Sequence, residues 1–386
     1  MADAPSSKLC SRCRDAAAPY TLRNASTCRN CYVNYVEAKA GRRLGALARD
    51  TKTSAPPAPR KYLAGLSYGP SSTLMVHILN TSAQFYSSKK SSPAFEPLVV
   101  HVDTELSNSG SVEADVTPAS ARVANFRDRF PNLSFECVHL SRVFDAKTVD
   151  WSALAWLDGV TDDGDDPVRR LRRLLDSFPS VTSRTHILRL LVRSLLLHVT
   201  IERSCSALLL GHSTTALASL TLSHVANGRG HVVPWQVNDG PFTVCTYDSS
   251  EVGEPAWVEI PVYYPLRQIL RNEIMCYLDM MPSLRNLVPS DDAASSSVVS
   301  HKDSSLEGII ERYFDGVEGP YSGIVANVVQ TTGKLDRAPA SVFCPLCGMA
   351  LDEQGDSRWA GELGDSSDGK PDLKRLCYGC RRTLSG

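Results

Sequence analysis

Eight of the twelve cysteines in this 386-residue sequence form four C-x-x-C pairs, two near each terminus. Fourteen residues separate the two N-terminal pairs, and 29 separate the two C-terminal pairs. A tetrahedral zinc ion takes four thiolates at about 2.3 Å, and each C-x-x-C turn supplies two of them from one side. The spacing therefore predicts two zinc sites. The predicted ligands are Cys10, Cys13, Cys28 and Cys31 of the first site and Cys344, Cys347, Cys377 and Cys380 of the second.

Four thiolates leave no open coordination position, so both metals are predicted to stabilise small lobes and not to catalyse a reaction. The first thirty residues contain Cys and Arg in place of an apolar signal segment, which predicts a cytoplasmic, reducing compartment where disulfides are rare. Iron–sulfur ligation by the same residues is the alternative. The remaining cysteines lie in predicted strands, helices or apolar stretches, where free cysteines are mostly buried and inert. They are Cys137, Cys205, Cys245 and Cys276.

A Gly/Ser-rich loop from Ser67 to Ser72 joins the first predicted strand of the central region to its first helix. The backbone N–H groups of such a loop, together with the positive end of the helix dipole, attract an anion. Ser71 or Ser72 could also cap the helix, which is the simpler interpretation. The loop alone is therefore a weak motif for a phosphate site.

The net charge of −1 hides a strong asymmetry, because residues 1–61 carry +8 and the remaining 325 residues carry −9. A basic lobe of this kind can follow a nucleic-acid backbone. Tyr32 and Tyr35 offer surfaces on which bases could stack. A solvated basic face is the alternative interpretation. The candidate phosphate-binding residues are Arg12, Arg14, Arg23, Arg29, Arg42 and Arg43.

Strands and helices alternate in the central region that must position these residues. Apolar strands are predicted at 62–66, 98–102, 134–140, 206–210 and 258–262, and helices at 72–80, 119–130, 168–175, 185–203, 215–225 and 265–278. The alternation predicts an α/β fold, with a doubly wound parallel sheet covered on both faces. Ligands bind such sheets at the carboxyl ends of the strands, where the 67–72 loop, Asp103 and His212 follow their strands.

We predict four segments along the chain. They are an N-terminal zinc lobe with a basic helix (1–54), a Pro-rich linker (55–61), an α/β domain (62–335) and a C-terminal zinc ribbon (336–386). The longest apolar stretch is interrupted by Arg193 and Ser194, so no bilayer-spanning helix is predicted.

The 67–72 loop resembles the pyrophosphate-binding PP-loop, S-G-G-x-D-S, of ATP-dependent tRNA-thiolating enzymes. Ser67, Gly69 and Ser72 match this pattern, whereas Tyr68 replaces a glycine and Ser71 replaces the aspartate. The glycine would let the backbone approach phosphate closely, and the aspartate could bind metal. The resemblance thus implies a PP-loop fold in which this loop is degenerate.

A second turn, LGHSTTA at 210–216, resembles the G-H-N-x-D-D-x-A turn of the same enzymes, with Thr214 and Thr215 in place of both aspartates. These motifs follow a Cys-paired N-terminus and precede a C-terminal L-C-x-x-C. In that order they resemble the cytoplasmic tRNA 2-thiolation protein 2 family over almost the whole chain. The resemblance implies a PP-loop ATPase (HUP-like) fold flanked by zinc-ribbon-like lobes.

The resemblance also implies a non-catalytic subunit. It would form a heterodimer with a catalytic PP-loop partner, bind tRNA and work with a ubiquitin-related sulfur carrier. The product would be 2-thiouridine at the wobble position of tRNA-Lys, tRNA-Gln and tRNA-Glu. Two alternatives stay open: an active ATP-dependent tRNA thiouridylase, and a zinc-ribbon module that binds nucleic acid.

The departures from the PP-loop pattern argue against catalysis and against ATP binding by this chain. Three carboxylates that could hold magnesium are replaced by hydroxyls, and no C-x-x-C lies between Cys31 and Cys344 to carry sulfur. A degenerate nucleotide site is the remaining expectation at this edge of the sheet. Its candidate residues are Ser67, Gly69, Ser71, Ser72, Asp103 and His212.

Overall fold

A computed structural model of the chain describes residues 8–51, 60–88, 95–106, 118–161, 164–247, 256–289, 305–337, 342–351 and 375–385. The N-terminal lobe is a two-stranded hairpin of β1 (Tyr20–Leu22) and β2 (Ala25–Thr27), followed by helix α1 (Arg29–Asp50). The apolar side chains of α1 recur at helical spacing, with Tyr32, Val36, Ala40 and Leu44 all buried. This face attaches the lobe to the central sheet.

The central sheet contains six strands: β3 (Arg60–Gly65), β4 (Phe95–Asp103), β5 (Ser134–His139), β6 (Ala207–Leu210), β7 (Gly240–Thr246) and β8 (Ala256–Tyr263). Their order across the sheet is β5-β4-β3-β6-β8-β7. Neighbouring strands from β5 to β8 are parallel, and β7 pairs antiparallel with β8 at one edge. β3 therefore lies between β4 and β6, so the loops that follow these three strands meet at one end of the sheet.

The helices after α1 are α2 (Pro70–Ser88), α3 (Pro118–Arg129), α4 (Pro167–Asp176), α5 (Val181–Glu202), α6 (Thr214–Ala226), α7 (Val233–Val237), α8 (Arg271–Asp279), α9 (Pro282–Arg285), α10 (Leu306–Thr332) and α11 (Tyr378–Ser385). The longest, α10, contains Pro320, and the backbone of Tyr321 is not helical. A proline in a helix interior removes a hydrogen bond and kinks the helix, which accounts for this irregularity.

Two apolar cores lie on opposite faces of the sheet, because successive strand side chains alternate in direction. Leu63 of β3 belongs to the first core with α4, α5, α6, α10 and the C-terminal cysteines. Its neighbours Tyr62 and Ala64 belong to the second core with α1, α2, α3 and α8. The N-terminal lobe thus packs on one face of the sheet and the C-terminal lobe on the other.

The predicted α/β fold is confirmed, with corrections to individual elements. Strand β7 is antiparallel and was not predicted, and the helix predicted at 265–278 begins only at Arg271. Helix α10 was also missed, because Gly308, Gly316, Gly319, Gly323 and Pro320 hide its helical pattern.

The predicted boundaries can be compared with the structure at one point. Strand β3 begins at Arg60, within the predicted 55–61 linker, while residues 52–59 lie outside the described part of the chain. The division into four segments stays a prediction. Among the residues that the structure describes, no helix is long and apolar enough to cross a membrane.

Candidate metal centres and the degenerate nucleotide loop

The structure brings the four predicted N-terminal ligands together. The sulfur atoms of Cys10, Cys13, Cys28 and Cys31 all lie within 4.8 Å of one another, and those of Cys13 and Cys28 are 3.8 Å apart. Cys10 and Cys28 are buried, whereas Cys13 is exposed. The group could hold a metal ion that is partly open to water.

The C-terminal ligands form a second group, which is fully enclosed. The sulfur atoms of Cys344, Cys347, Cys377 and Cys380 lie within 4.8 Å of one another, and all four residues are buried. They belong to the first core together with Leu346, Met349 and Leu376. This second group could therefore hold a metal ion inside the protein, out of contact with water.

Both groups are built from the same two local parts. In the first C-x-x-C of each group, the residue after the second cysteine has a positive φ, 60° at Arg14 and 63° at Gly348. Its N–H donates to the carbonyl oxygen of the first cysteine at 2.8 Å, which turns both sulfur atoms to one side. The other pair begins at or just before a helix, because Cys28 caps α1 and Cys380 lies in α11.

The neighbouring sulfur atoms of the N-terminal group have unequal proton affinities. The backbone N–H groups of Cys13 and Cys28 lower the pKa of Cys10 to about 6. Hydrogen bonding to the neighbouring Cys28 sulfur and burial raise the pKa of Cys31 to about 12, since crowded sulfur atoms cannot all ionise without a cation. Four sulfur donors in tetrahedral reach fit a thiophilic divalent ion, and metal binding would release the remaining protons.

The 67–72 loop is closed by its own serines. Ser72 Oγ donates to the Gly69 carbonyl at 3.1 Å and accepts from the Ser67 N–H at 3.2 Å, and the two serine hydroxyls are 3.1 Å apart. Helix α2 begins at Pro70, so Ser71 and Ser72 lie inside its first turn, and neither takes the capping position that we predicted. Proline suits a first helical position, where no N–H partner is needed.

Tyr68 points into the second core and not over the loop. Its φ is 60°, its side chain is buried, and its hydroxyl donates to the Ala119 carbonyl at 2.9 Å. The ring packs 4.2 Å from the ring of His101 and 5.7 Å from that of Phe126, measured between centroids. The Tyr68 side chain, which stands where the PP-loop pattern has a glycine, is therefore accommodated in the second core.

The candidate nucleotide residues gather at the carboxyl ends of three neighbouring strands. Asp103 ends β4, the loop follows β3, and His212 follows β6. Gly211 lies against the loop so closely that a Cβ atom there would be 2.8 Å from Ser72 Cα. Ser213 caps α6 by accepting the N–H of Ala216.

The two threonines that stand in place of the aspartates are structural. Thr214 Oγ1 donates to the Arg267 carbonyl at 2.9 Å. Thr215 Oγ1 donates to Glu318 of α10 and accepts the N–H of Arg271 at 3.0 Å. Burial raises the pKa of Glu318, which also accepts the Asn272 N–H at 2.6 Å. These contacts tie α6 to α8 and α10.

Three of the six candidate arginines form ion pairs or hydrogen bonds with distant parts of the chain. Arg23 forms an ion pair with buried Glu273 at 2.8 Å, Arg29 donates to the Met280 carbonyl at 2.8 Å, and Arg43 pairs with Asp239. Arg12, Arg14 and Arg42 are exposed, and Arg12 lies over the ring of Tyr35.

The predicted stacking tyrosines are largely covered. Tyr32 is buried, and its hydroxyl donates to the Glu273 carbonyl at 3.3 Å. The Tyr35 ring has the Arg12 guanidinium 4.7 Å and the Lys39 ammonium 4.8 Å from its centroid. Neither ring is free to receive a base, which argues against the stacking part of that interpretation. Phosphate contacts by the exposed arginines stay a prediction.

Comparison with known proteins assigns the chain to a family. A family model described as "Cytoplasmic tRNA 2-thiolation protein 2" matches residues 305–369. A relative of that name from Phaeosphaeria nodorum is 32% identical over 395 aligned residues, which cover 99% of this chain and 96% of the relative. The chain belongs to the cytoplasmic tRNA 2-thiolation protein 2 family. Another member, from Sclerotinia sclerotiorum, is 32% identical over 85% of this chain and 83% of its own length.

A solved structure shares the fold of this member of the cytoplasmic tRNA 2-thiolation protein 2 family. It is the U34-tRNA thiolase NcsA from Methanococcus maripaludis with its 4Fe-4S cluster. The superposition has a TM-score of 0.52 and covers 88% of this chain and 94% of NcsA, at 14% sequence identity. At that identity the likeness shows the fold alone.

Several residues at the metal centres, the basic lobe and the 210–216 turn could not be identified from the sequence. Glu318 reaches its site from α10, whose local pattern gave no signal. Lys39 lies in the predicted basic helix but was not among the candidate site residues. Arg229 lies fully buried, with Nη1 3.2 Å from the Cys380 sulfur. Burial alone would lower its pKa, but the four C-terminal sulfur atoms raise it, so the guanidinium stays charged. The only sequence signal was the Asn-Gly-Arg-Gly stretch at 227–230.

Acid is expected to destabilise the protein through His212. Burial, with Arg193 and Arg189 nearby, lowers the pKa of His212 to about 4, and its Nδ1 is buried with no partner among the described residues. The unfolded chain, with a pKa near 6.5, then binds the proton first as pH falls, so stability decreases between about pH 6.5 and 4, by up to ~3 kcal/mol. In urea unfolding at pH 7 and pH 4.5, His212→Gln should lose less stability than the wild type. Equal losses would contradict the assignment.

Proposed function

We propose that this chain is a cytoplasmic subunit of a complex that 2-thiolates the wobble uridine of tRNA-Lys, tRNA-Gln and tRNA-Glu. The observation that carries the proposal is the 32% identity over 99% of the chain to a cytoplasmic tRNA 2-thiolation protein 2. Its fold, shared with a tRNA thiolase, is consistent with this role. The complex would contain a catalytic PP-loop partner and take its sulfur from a ubiquitin-related carrier.

Within that complex, the proposed role of this chain is structural and tRNA-binding. A thiolase needs a reactive cysteine, and thiolates are the reactive form. Of the four internal cysteines that the sequence predicted to be buried, only Cys245 is; Cys205 and Cys276 are partly buried, and Cys137, on the edge strand β5, is exposed. Partial or full desolvation nevertheless raises the pKa of all four thiols, to about 12 in the case of Cys245. In addition, Thr214 and Thr215 stand where the related enzymes have two aspartates that could bind metal, and their hydroxyls form hydrogen bonds within the protein. Catalysis is therefore assigned to the partner.

We further propose that the 67–72 loop lacks the magnesium-dependent ATP binding of catalytic PP-loop enzymes. The hydroxyl of Ser72 is hydrogen-bonded to Ser67 and Gly69, and Ser71 stands where the PP-loop pattern has its aspartate. Equilibrium binding of labelled ATP to the purified chain tests this, with and without magnesium. Tight binding that requires magnesium would contradict the proposal and favour an active enzyme.

Both four-cysteine groups are proposed to bind zinc. The donor sets are all sulfur, with four positions at each site and none left for substrate, as in structural zinc sites. Metal analysis of the purified protein is expected to give two zinc ions per chain. Iron with an absorption band in the visible range would instead indicate a cluster.

The function is tested by reconstitution with the catalytic partner, the sulfur carrier and unmodified tRNA. Thiolation of the wobble uridine is measured by retardation of the tRNA in a mercury-containing gel, with and without this chain. We expect thiolation to depend on the chain and to survive Cys245→Ser, which removes a buried thiol. Full thiolation in its absence would overturn the proposed function.

The exposed basic patch around Tyr35 is expected to bind tRNA phosphates. Replacing Arg12 and Arg42 together by glutamine should raise the Kd for tRNA about three- to tenfold at 0.15 M salt and reduce the slope of log K against log salt by about one to two. Fluorescence anisotropy with labelled tRNA measures both quantities.

A matched control places the same charge change on the opposite face of the sheet. Arg142 and Arg184, which pair with Glu202 and Asp176, are replaced together by glutamine. Metal content is measured in each variant, since Arg12 lies within a C-x-x-C turn. Equal effects of the two double substitutions, with metal retained in both, would rule out a localised tRNA surface on the N-terminal lobe.

A further inference from the structure

Arg229 is a buried cation placed against the C-terminal cysteine group. It follows α6 in the chain, has no exposed surface, and heads the fully buried side chains by size. Its Nη1 atom lies 3.2 Å from the Cys380 sulfur and 3.3 Å from His186 Nε2. Its Nε and Nη2 are also buried and have no hydrogen-bond partner among the described residues. A buried guanidinium in such surroundings requires a negative partner.

Two glycines make room for this approach. A Cβ atom on Gly379, between Cys377 and Cys380, would lie 2.2 Å from Arg229 Cγ. Gly228 has a φ of 70°, and a Cβ there would lie 2.4 Å from the ring of Tyr378. A glycine therefore lies on each side of the contact, and the absence of a Cβ atom at both positions lets the arginine side chain pack against the cysteine turn.

The charge of the metal centre explains what the arginine does there. Four thiolates around a divalent ion carry a net charge of −2, and this group is buried on all sides. Such a charge is costly in a protein interior unless an opposite charge lies beside it. The N-terminal group has the same donors, but its Cys13 is exposed and can be solvated by water. Water does not reach the C-terminal group, so the positive charge of Arg229 is what offsets its negative charge.

The arginine is held from its other side by the α/β domain. His186 of α5 contacts Arg229 through Nε2, and its Nδ1 lies 3.3 Å from Glu307 of α10. Asn227 Nδ2 donates to the same Glu307 oxygen at 3.3 Å. His186 therefore contacts the guanidinium directly, and Glu307 of α10 and Asn227 at the end of α6 hold it through His186.

We propose that Arg229 is a positioning residue for the C-terminal metal, which it retains by donating an Nη1 N–H to the Cys380 thiolate and offsetting the charge of the cysteine group. The inference rests on the proposed occupancy of that site by a metal. It also sets an order: the metal at the exposed N-terminal group leaves first, and the metal beside Arg229 leaves last. The arginine thereby couples retention of this metal to the packing of α5, α6 and α10.

Metal release to a colorimetric chelator tests the proposal on the full-length chain. The wild type is expected to release its two metals in a fast and a slow phase. Arg229→Gln should accelerate the slow phase at least tenfold and leave the fast phase unchanged. Arg229→Lys should give an intermediate rate, because lysine keeps the charge and loses the planar set of donors.

Arg170→Gln is the matched control, since Arg170 is also a buried arginine but donates to the carbonyls of Gly159 and Val160. Loss of general stability would change both release phases in this control, whereas loss of the counter-charge changes the slow phase alone. In cobalt-loaded protein, Arg229→Gln should also move the thiolate-to-metal charge-transfer band to longer wavelength, and Arg170→Gln should not. Wild-type release kinetics in Arg229→Gln would overturn the proposal.

Gly379→Ala provides a second variant if Arg229→Gln does not fold. It displaces the guanidinium without changing the charge of the chain, and the slow phase should again accelerate. A slow phase unchanged in a folded Gly379→Ala would also overturn the proposal. The underlying metal assignment fails separately: Cys344→Ser would then leave the metal content of the chain unchanged, whatever Arg229 does.

Discussion

Replacing Cys377 by serine is expected to remove one metal ion and to unfold the C-terminal lobe. A serine hydroxyl does not replace a thiolate, and three buried thiols without a cation would remain in the first core. Structural zinc contributes about 10–16 kcal/mol of apparent binding free energy, which is comparable with the whole stability of a domain, about 5–15 kcal/mol. We expect the Tm to fall by more than about 10 °C for this reason. Metal analysis and thermal unfolding followed by circular dichroism measure both effects.

Two control variants separate metal loss from simple loss of packing. Cys13→Ser removes a ligand of the exposed N-terminal group, so it should also cost one metal ion but lower the Tm less. Cys245→Ser changes a buried cysteine outside both groups, so metal content should be retained. Two metal ions retained in Cys377→Ser would show that this residue is not a ligand.

Replacing Tyr68 by alanine is expected to lower the free energy of unfolding by about 3–5 kcal/mol. The substitution empties the space between His101 and Phe126 and leaves the Ala119 carbonyl without its donor. Alanine also keeps the left-handed backbone, where φ is 60°, so no strain is relieved. Urea unfolding measures the change.

Tyr68→Phe keeps the ring and removes only the hydroxyl. It should cost about 1 kcal/mol, the usual contribution of one hydrogen bond. Equal losses in the phenylalanine and alanine variants would mean that the ring does not fill the core at the PP-loop position. Neither variant is expected to create magnesium-dependent ATP binding, because Thr214 and Thr215 remain in place of the aspartates.

Local patterns in the sequence were sufficient to predict the two four-cysteine groups and most strands of the sheet. A C-x-x-C turn is a four-residue structure, so its spacing predicts sulfur geometry without knowledge of the rest of the chain. Apolar runs such as 98–102 and 206–210 become buried parallel strands, because the side chains on both faces of the strand are apolar and are stabilised by removal from water. Strand β7 and helix α10 escaped prediction, because β7 gave no apolar pattern that we used and the glycines of α10 hide its period.

Roles that depend on distant partners could not be predicted in this way. The sequence predicted six phosphate-binding arginines, but the structure pairs Arg23 with Glu273, which lies 250 positions away. It likewise predicted that Tyr68 would add bulk at the loop, whereas the left-handed backbone turns this side chain into the core.

The sequence by itself determined which residues can bind metal, which segments form the sheet, and which family the order of motifs resembles. These properties follow from chemistry and periodicity within a few residues. The tertiary structure decided which charges are neutralised and which cation meets the buried thiolates, as with Arg229 and Cys380, 151 positions apart. Such pairs are selected by the cost of burying an unpaired charge, and that cost exists only once packing has excluded water.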